Sequence, residues 1–332
     1  MRRFSLGLLV VALSSACAFL PGRPTASDCP ARPTVSRQRA YGLIHPLLDL
    51  DDSIEFHELR PFLKSLRGVV DGAVKAGRAS EVSVYFRDLN NGYWTGVAER
   101  AEFSPASLLK LPLLMTVLDR AEEEPEFLKR RLVYDAATAA SFTVTTEFPS
   151  RSPLNVGEAY TVGDLMRRMI LDSDNGAALL LFGAMPSGSV EKAYSDLGIE
   201  GAPGAGAGAA VTVKQYAMFF RVLYNASYLD RRASQTALEL LAGSHFLEGL
   251  VAGVPAGATV AHKFGERHDI AGGAKQLHDC GIVYHPDTPY LLCVMTRGAE
   301  TKALAGVIAQ TSRFVWDEIS RQAELRAGRE RR

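Results

Sequence analysis

Strand-type hydrophobicity appears at the two ends of this 332-residue chain, and a long helical interval separates them. Val82 to Phe86 reads as a strand, Asn90-Asn91-Gly92 as a turn, and Tyr93 to Val97 as the returning strand. Strand signals resume only at Thr259 to Phe264, Leu277 to Tyr284 and Tyr290 to Met295. Between them helices dominate from about Ser107 to Tyr228, at Thr161 to Leu171, Gly176 to Phe182, Val190 to Leu197 and Val213 to Leu223. A helix over Phe56 to Ala76 precedes the first strand, starting somewhat later than Phe56 because Pro61 is best tolerated in a first turn. An amphipathic helix, about Lys302 to Leu325, closes the chain. This order predicts an α+β fold. A mainly antiparallel sheet is built from both chain ends and flanked by the first and last helices, with an all-helical lobe inserted between strands two and three. The last two strands are apolar on both alternating sets, Ile282 and Leu291 on one, Val283, Tyr290 and Leu292 on the other. Both faces of the sheet should therefore be covered.

Hydrophobic residues make up 47% of the chain, enough for a sizeable core. Lys+Arg and Asp+Glu are both 37, so nothing points to a polyanion, and no nucleic-acid partner is expected. Residues 1–18 read as an export signal: Arg2 and Arg3 precede an apolar run, Phe4 to Leu13, and then small residues. That run is too short for a mature membrane span. Two cleavage readings stay open, lipid modification and membrane anchoring at Cys17, or ordinary cleavage after Ala18. Residues 19–50 form a Pro/Ser/Arg-rich linker with Cys29, residues 51–325 the folded domain, and residues 326–332 a basic solvated tail. Cys280 and Cys293 flank the turn at His285-Pro286-Asp287-Thr288 and fall opposite each other on neighbouring strands. They are either a disulfide or two buried thiols. The protein is expected to be exported to the periplasm or cell envelope, and to be a monomer.

Three short motifs carry the chemistry. In Ser107-Leu108-Leu109-Lys110, preceded by Pro105 at a helix start, residues i and i+3 share a face, so Lys110 can reach the Ser107 hydroxyl. A serine hydroxyl becomes a useful nucleophile only when a base takes its proton, and a lysine can act as that base if burial near other cations lowers its pKa. Ser173-Asp174-Asn175 adds a second hydroxyl and an amide, although Asp and Asn before Gly176-Ala177-Ala178 would also cap a helix. Lys263-Phe264-Gly265 ends a strand and adds a second cation, with Gly265 permitting close backbone approach.

Order and context of these motifs resemble the penicillin-recognising serine enzymes, and most of all the class A β-lactamases. Phe103-Ser104-Pro105-Ala106 before the first motif and Thr161-Val162-Gly163-Asp164-Leu165 before the second strengthen the resemblance. Pro112 after the first lysine is a feature shared with class D enzymes. The resemblance spans roughly Ser80 to Arg321 and implies a β-lactamase/transpeptidase-like fold. It also implies roles: Ser107 as nucleophile, Lys110 as base, and Ser173 relaying a proton to the leaving nitrogen. Asn175 would bind the substrate amide and Lys263 the substrate carboxylate while lowering the Lys110 pKa. Glu266 would supply an oxyanion-hole N–H alongside that of Ser107. Two departures stand out. Phe264 replaces the usual hydroxyl residue. The family's loop glutamate pattern, E-x-x-L-N, is absent between Asn175 and Val213, where Gly201 to Ala210 is a Gly/Ala-rich run with Glu200 at its edge as the one candidate deacylation base. Loss of a general base costs typically about 10²–10⁴-fold, so acylation would outlast efficient turnover.

The Gly-rich run follows a helix and lacks a P-loop lysine, so it does not read as a phosphate loop. His262, His268 and His278, with Asp269 and Asp279 nearby, fit no zinc spacing, and neither metal nor cofactor is expected. The leading expectation is an exported serine hydrolase acting on β-lactam amides. The alternatives are a D,D-peptidase or penicillin-binding protein acting on peptidoglycan peptides, and a non-catalytic binder of such peptides.

Overall fold

Five strands, β1 Glu81–Asp88, β2 Trp94–Val97, β7 Val260–Arg267, β8 Lys275–Val283 and β9 Tyr290–Gly298, form one antiparallel sheet of order β2-β1-β9-β8-β7. The computed structural model describes residues 59–141, 146–199, 210–268 and 274–330. The expected signal and linker, with Cys17 and Cys29, lie outside these residues, as do Glu200, residues 201–209 and Asp269. β1 is the junction: it pairs with β2 (Val84 opposite Val97) and with the distant β9 (Val84 opposite Val294).

Helix α1, Arg60–Lys75, opens with Pro61 in its first turn, where the missing N–H costs nothing. Phe62, Leu66, Val70 and Ala73, at helical spacing, form its buried stripe. That stripe meets the sheet and helix α9, Thr301–Glu330; the Phe62 ring lies 4.8 Å from Phe86 and 5.8 Å from Phe314. Val283, Tyr290 and Leu292 join this layer, with Leu304, Val307 and Ile308 of α9. Ile282 and Leu291 instead face a second core, shared with the helical lobe. The two alternating apolar sets thus serve two cores, as their pattern implies.

The inserted lobe runs from β3 (Glu102–Phe103) through α2 (Lys110–Glu123), β4 (Arg131–Val133), α3 (Ala136–Ala140), β5 (Ala159–Thr161), α4 (Val162–Leu171), α5 (Asn175–Ala184), α6 (Ser189–Asp196), β6 (Val211–Thr212), α7 (Val213–Asn225) and α8 (Arg231–Ala242). It is not purely helical. Two short ribbons, β3 with β6 and β4 with β5, staple it together, with Phe103 opposite Val211 and Leu132 opposite Tyr160. α2 is the lobe's central helix: every residue from Lys110 to Leu118 is buried, and such all-round apolarity suits a helix enclosed on every side. α8, a helix absent from the sequence expectations although Ala233, Ala237, Leu238 and Leu241 fall at helical spacing, starts at the N-cap Asp230, whose side chain accepts from Ala233 N. Cys280 and Cys293 are directly opposed on β8 and β9 and are joined as a disulfide.

Candidate active site

Ser107 lies in a single 3₁₀ turn, Ala106–Leu109, just ahead of α2. Ala106 holds a left-handed backbone (φ 49°), an uncommon conformation for a residue with a Cβ, worth about 1–3 kcal/mol of local strain. The surroundings hold this turn firmly. His278 Nε2–H donates to Ser104 O (3.0 Å), Ser104 N–H donates to Gln276 Oε1 (3.1 Å), Arg267 donates to Ser104 Oγ (2.6 Å), and Tyr216 OH donates to Leu108 O (2.9 Å). Because Thr296 N–H donates to its Nδ1, His278 carries its proton on Nε2, and burial pushes its pKa down to about 4. It is a neutral, permanent clamp. The sequence ties none of the four to this turn, and offers His278 only as a metal-ligand candidate, because each lies far along the chain from the turn it holds.

Lys110 is the hub. Its Nζ sits 3.0 Å from Ser107 Oγ, 2.6 Å from Ser173 O, 3.0 Å from Ser173 Oγ and 2.6 Å from Asn175 Oδ1. Burial depresses its pKa to about 7, against the opposing pull of Asp174 and Glu266. Burial is the first cause of the depression, and Lys263 is a second buried amine whose own pKa is lowered by burial and by Lys110. At pH 7 the amine is therefore neutral in a large fraction of molecules. Its two N–H groups can then donate to Ser173 O and Asn175 Oδ1 while its lone pair accepts the Ser107 hydroxyl proton.

Ser173 and Asn175 flank Asp174, which caps α5 by accepting from Ala177 N (2.7 Å). Capping and site building are thus one device. The cap sets the helix start, and Ser173, left-handed at φ 54°, turns its carbonyl and hydroxyl toward Lys110. Lys263 completes the group, donating to Ser173 Oγ (2.9 Å) and to Phe264 O (2.8 Å), with its Nζ 4.2 Å from the Phe264 ring centroid. It is fully buried, and burial first and Lys110 second press its pKa well below the lysine range.

Lys263-Phe264-Gly265 does not end a strand: β7 continues to Arg267, paired throughout with β8 (Gly265 opposite His278, Arg267 opposite Gln276). Gly265 makes room for the nucleophile turn itself, since a Cβ there would stand 3.0 Å from Leu108 N and 3.1 Å from Pro105 O. The Glu266 carboxylate accepts from Glu147 N (3.0 Å), Phe148 N (3.2 Å) and the Thr146 hydroxyl. It ties the connection between α3 and β5 onto the sheet. His262 pairs with buried Asp279 (2.8 Å), whose other oxygen accepts from Leu250 N (2.9 Å). Among the described residues no group of three or more His, Cys, Asp or Glu side chains is placed to hold a metal.

A sheet built from both chain ends, an inserted helical lobe, and a Ser-Lys-Ser cluster at their junction define a β-lactamase/transpeptidase-like protein. Solved structures share the fold. A mutant of PBP-A in an acyl-enzyme complex with penicillin G superposes with a TM-score of 0.66 at 20% identity, covering 78% of this chain and 97% of that one. A class A β-lactamase from Mycobacterium abscessus gives 0.65 at 23% identity, covering 78% and 99%. The model of the β-lactamase enzyme family matches residues 64–319, and the chain belongs to that family. Among curated relatives, β-lactamase L2 of Stenotrophomonas maltophilia is 36% identical over 99 residues, 30% of this chain and 30% of that enzyme.

Proposed function

We propose that this protein is an exported serine hydrolase that opens β-lactam amides through an acyl-Ser107 intermediate and clears that intermediate slowly. The observation that carries the proposal is the 3.0 Å approach of the Lys110 amine, held near pKa 7, to the Ser107 hydroxyl. Neutral Lys110 takes the Ser107 proton as Oγ bonds to the carbonyl carbon. The N–H groups of Ser107 and Glu266 would face the resulting oxyanion, and the close passage of β7 past the nucleophile turn at Gly265 supports this. On collapse the C–N bond breaks. Ser173, which touches both lysines, passes the proton to the leaving nitrogen, and Asn175 orients the acyl amide. The Cys280–Cys293 disulfide supports an oxidising compartment.

Slow clearance rests on the missing E-x-x-L-N pattern, with Glu200 as the surrogate base to test. The same absence favours a second reading, a D,D-peptidase or penicillin-binding protein, in which a long-lived acyl-enzyme with β-lactams accompanies action on peptidoglycan peptides. Intact-mass spectrometry of the protein after exposure to a β-lactam separates the readings. An adduct on Ser107 that decays with product release supports the hydrolase, and Glu200→Ala should then slow decay alone. A persistent adduct supports the second reading. Absence of any adduct, with Ser107→Ala indistinguishable from the parent, leaves a non-catalytic peptide binder.

A further inference from the structure

Ser173 stands between two buried amines, and its backbone is left-handed at φ 54°. Such a conformation at a residue with a Cβ persists only where its surroundings over-determine it. On the C-terminal side the Asp174 cap of α5 does this. On the N-terminal side the hold comes from His245, in the connection between α8 and β7. Its backbone N–H donates to the Leu171 carbonyl (2.9 Å), at the end of α4, where helix carbonyls lack internal partners. Its ring N–H at Nδ1 donates to Asp172 Oδ1 (2.8 Å). The Asp172 side chain is only 6% exposed, so this contact serves a nearly buried carboxylate, while the imidazole reaches solvent. One residue thus grips both positions that lead into Ser173. His245 is itself fixed. Arg151 donates to its carbonyl (3.1 Å), and Gly243 packs so closely on α4 that a Cβ there would stand 2.9 Å from Leu171 Cδ2. Phe246, the next residue, is buried and stacks on Phe264 (4.2 Å between centroids, 20°), the neighbour of Lys263 on β7. Two adjacent residues therefore tie the Ser173 turn to the strand that carries Lys263.

From this strap we infer that His245 is a positioning residue for Ser173: its imidazole, acting through Asp172, sets where the relay hydroxyl stands between Lys110 and Lys263. The inference rests on the acyl-serine reading and adds to it a pair that lies outside the three motifs. The proton balance shows where the placement matters. Lys110 takes the Ser107 proton as Oγ bonds to the carbonyl carbon. When the C–N bond breaks, Ser173 gives its hydroxyl proton to the nitrogen and takes one from Lys110. An amide nitrogen needs that proton to leave, whereas 4-nitrophenolate departs as the anion. Loosening Ser173 therefore slows amide acyl donors and spares activated esters.

Two acyl donors and a set of conservative variants test this in the full-length protein. Acylation of Ser107 by benzylpenicillin is followed by intact mass. Acylation by 4-nitrophenyl phenylacetate is followed by nitrophenolate release, with Ser107→Ala as the blank. His245→Ala should lower the penicillin-to-ester rate ratio about tenfold or more, as a small misplacement of a reacting group does. His245→Asn carries an amide N–H where Nδ1 stands and should restore most of the ratio. His245→Gln carries its amide at the place of Nε2 and should not, and it serves as the loss variant should His245→Ala fail to fold. Asp172→Ala should match His245→Ala, and the double variant should be no slower than either alone. An equal loss with both donors is general damage to the site and overturns the inference. So does an unchanged ratio in His245→Ala, or a His245→Asn that behaves like His245→Gln. The comparison of Asn with Gln needs penicillin alone, so it decides the matter if the ester is a poor donor. If benzylpenicillin leaves Ser107 of the parent protein unmodified, the underlying reading fails, and the inference with it.

Discussion

Lys110 decides whether this site is chemical, and its protonation gives the reading a sign. Only the neutral amine can accept the Ser107 proton, and the neutral fraction grows as pH rises through the depressed pKa of about 7. Acylation should therefore climb about tenfold per pH unit below 7 and level off above it. Glu266 opposes the depression, so Glu266→Gln should move that limb to lower pH, a shift visible in a pH–rate profile of acylation. Lys110→Ala should cost about 10²–10⁴-fold, and Lys110→Arg as much, because a guanidinium stays charged throughout the accessible range. The pair Ser107 and Lys110 is legible from sequence because it is local: three residues apart at a helix start is a fixed distance. The grip of His278, Gln276, Arg267 and Tyr216 on the same turn is not legible, since those contacts join residues more than a hundred positions apart. The role of Gly265 was half legible. Its smallness announced a close approach, but the neighbour is Leu108 and Pro105 of the turn. Gly265→Ala should push that turn by a few tenths of an ångström and slow acylation by an order of magnitude or so while the fold persists, since a small misplacement of reacting groups is costly.

Among the elements, α5 does two things at once, because its first turn is both a cap and part of the site. Asp174→Ala should lose about 1 kcal/mol of stability through the missing cap, measured by thermal denaturation. It should also lower acylation, as Ser173 and Asn175 lose their fixed placement against Lys110. Asp174→Asn retains capping ability and should restore most of the rate, with the acid limb moved down in pH because a negative charge that holds the Lys110 pKa up is gone. The five strands of the main sheet and most helices are readable because each carries its own periodicity of two or 3.6 residues. The ribbons β3–β6 and β4–β5 were not, for a strand of two or three residues has no period, and its existence depends on a partner such as Val211 arriving beside Phe103. β7 was read as ending at Phe264 for a related reason. Gly265, Glu266 and Arg267 look like a strand terminus until the pairing with His278, Leu277 and Gln276 extends it.

For the molecule as a whole, the layer that holds α9 to the sheet lobe is intolerant of added volume. A Cβ on Gly253 would press on the Ala309 carbonyl and come within 2.5 Å of Ser312 Cβ, atoms of a long, well-anchored helix with little freedom to yield. Gly253→Ala should cost about 2 kcal/mol, read as a fall in Tm of roughly 4–8 °C, without altering the pH dependence of acylation. Strand β1 finds β2 a few residues on, but its other neighbour, the central strand β9, is synthesised some two hundred positions later. A nascent polypeptide halted anywhere before residue 290 therefore lacks the strip that joins the two halves of its sheet. Ribosome-bound intermediates should stay protease-sensitive until the final stretch emerges, leaving a long interval in which chaperones can still engage an open chain.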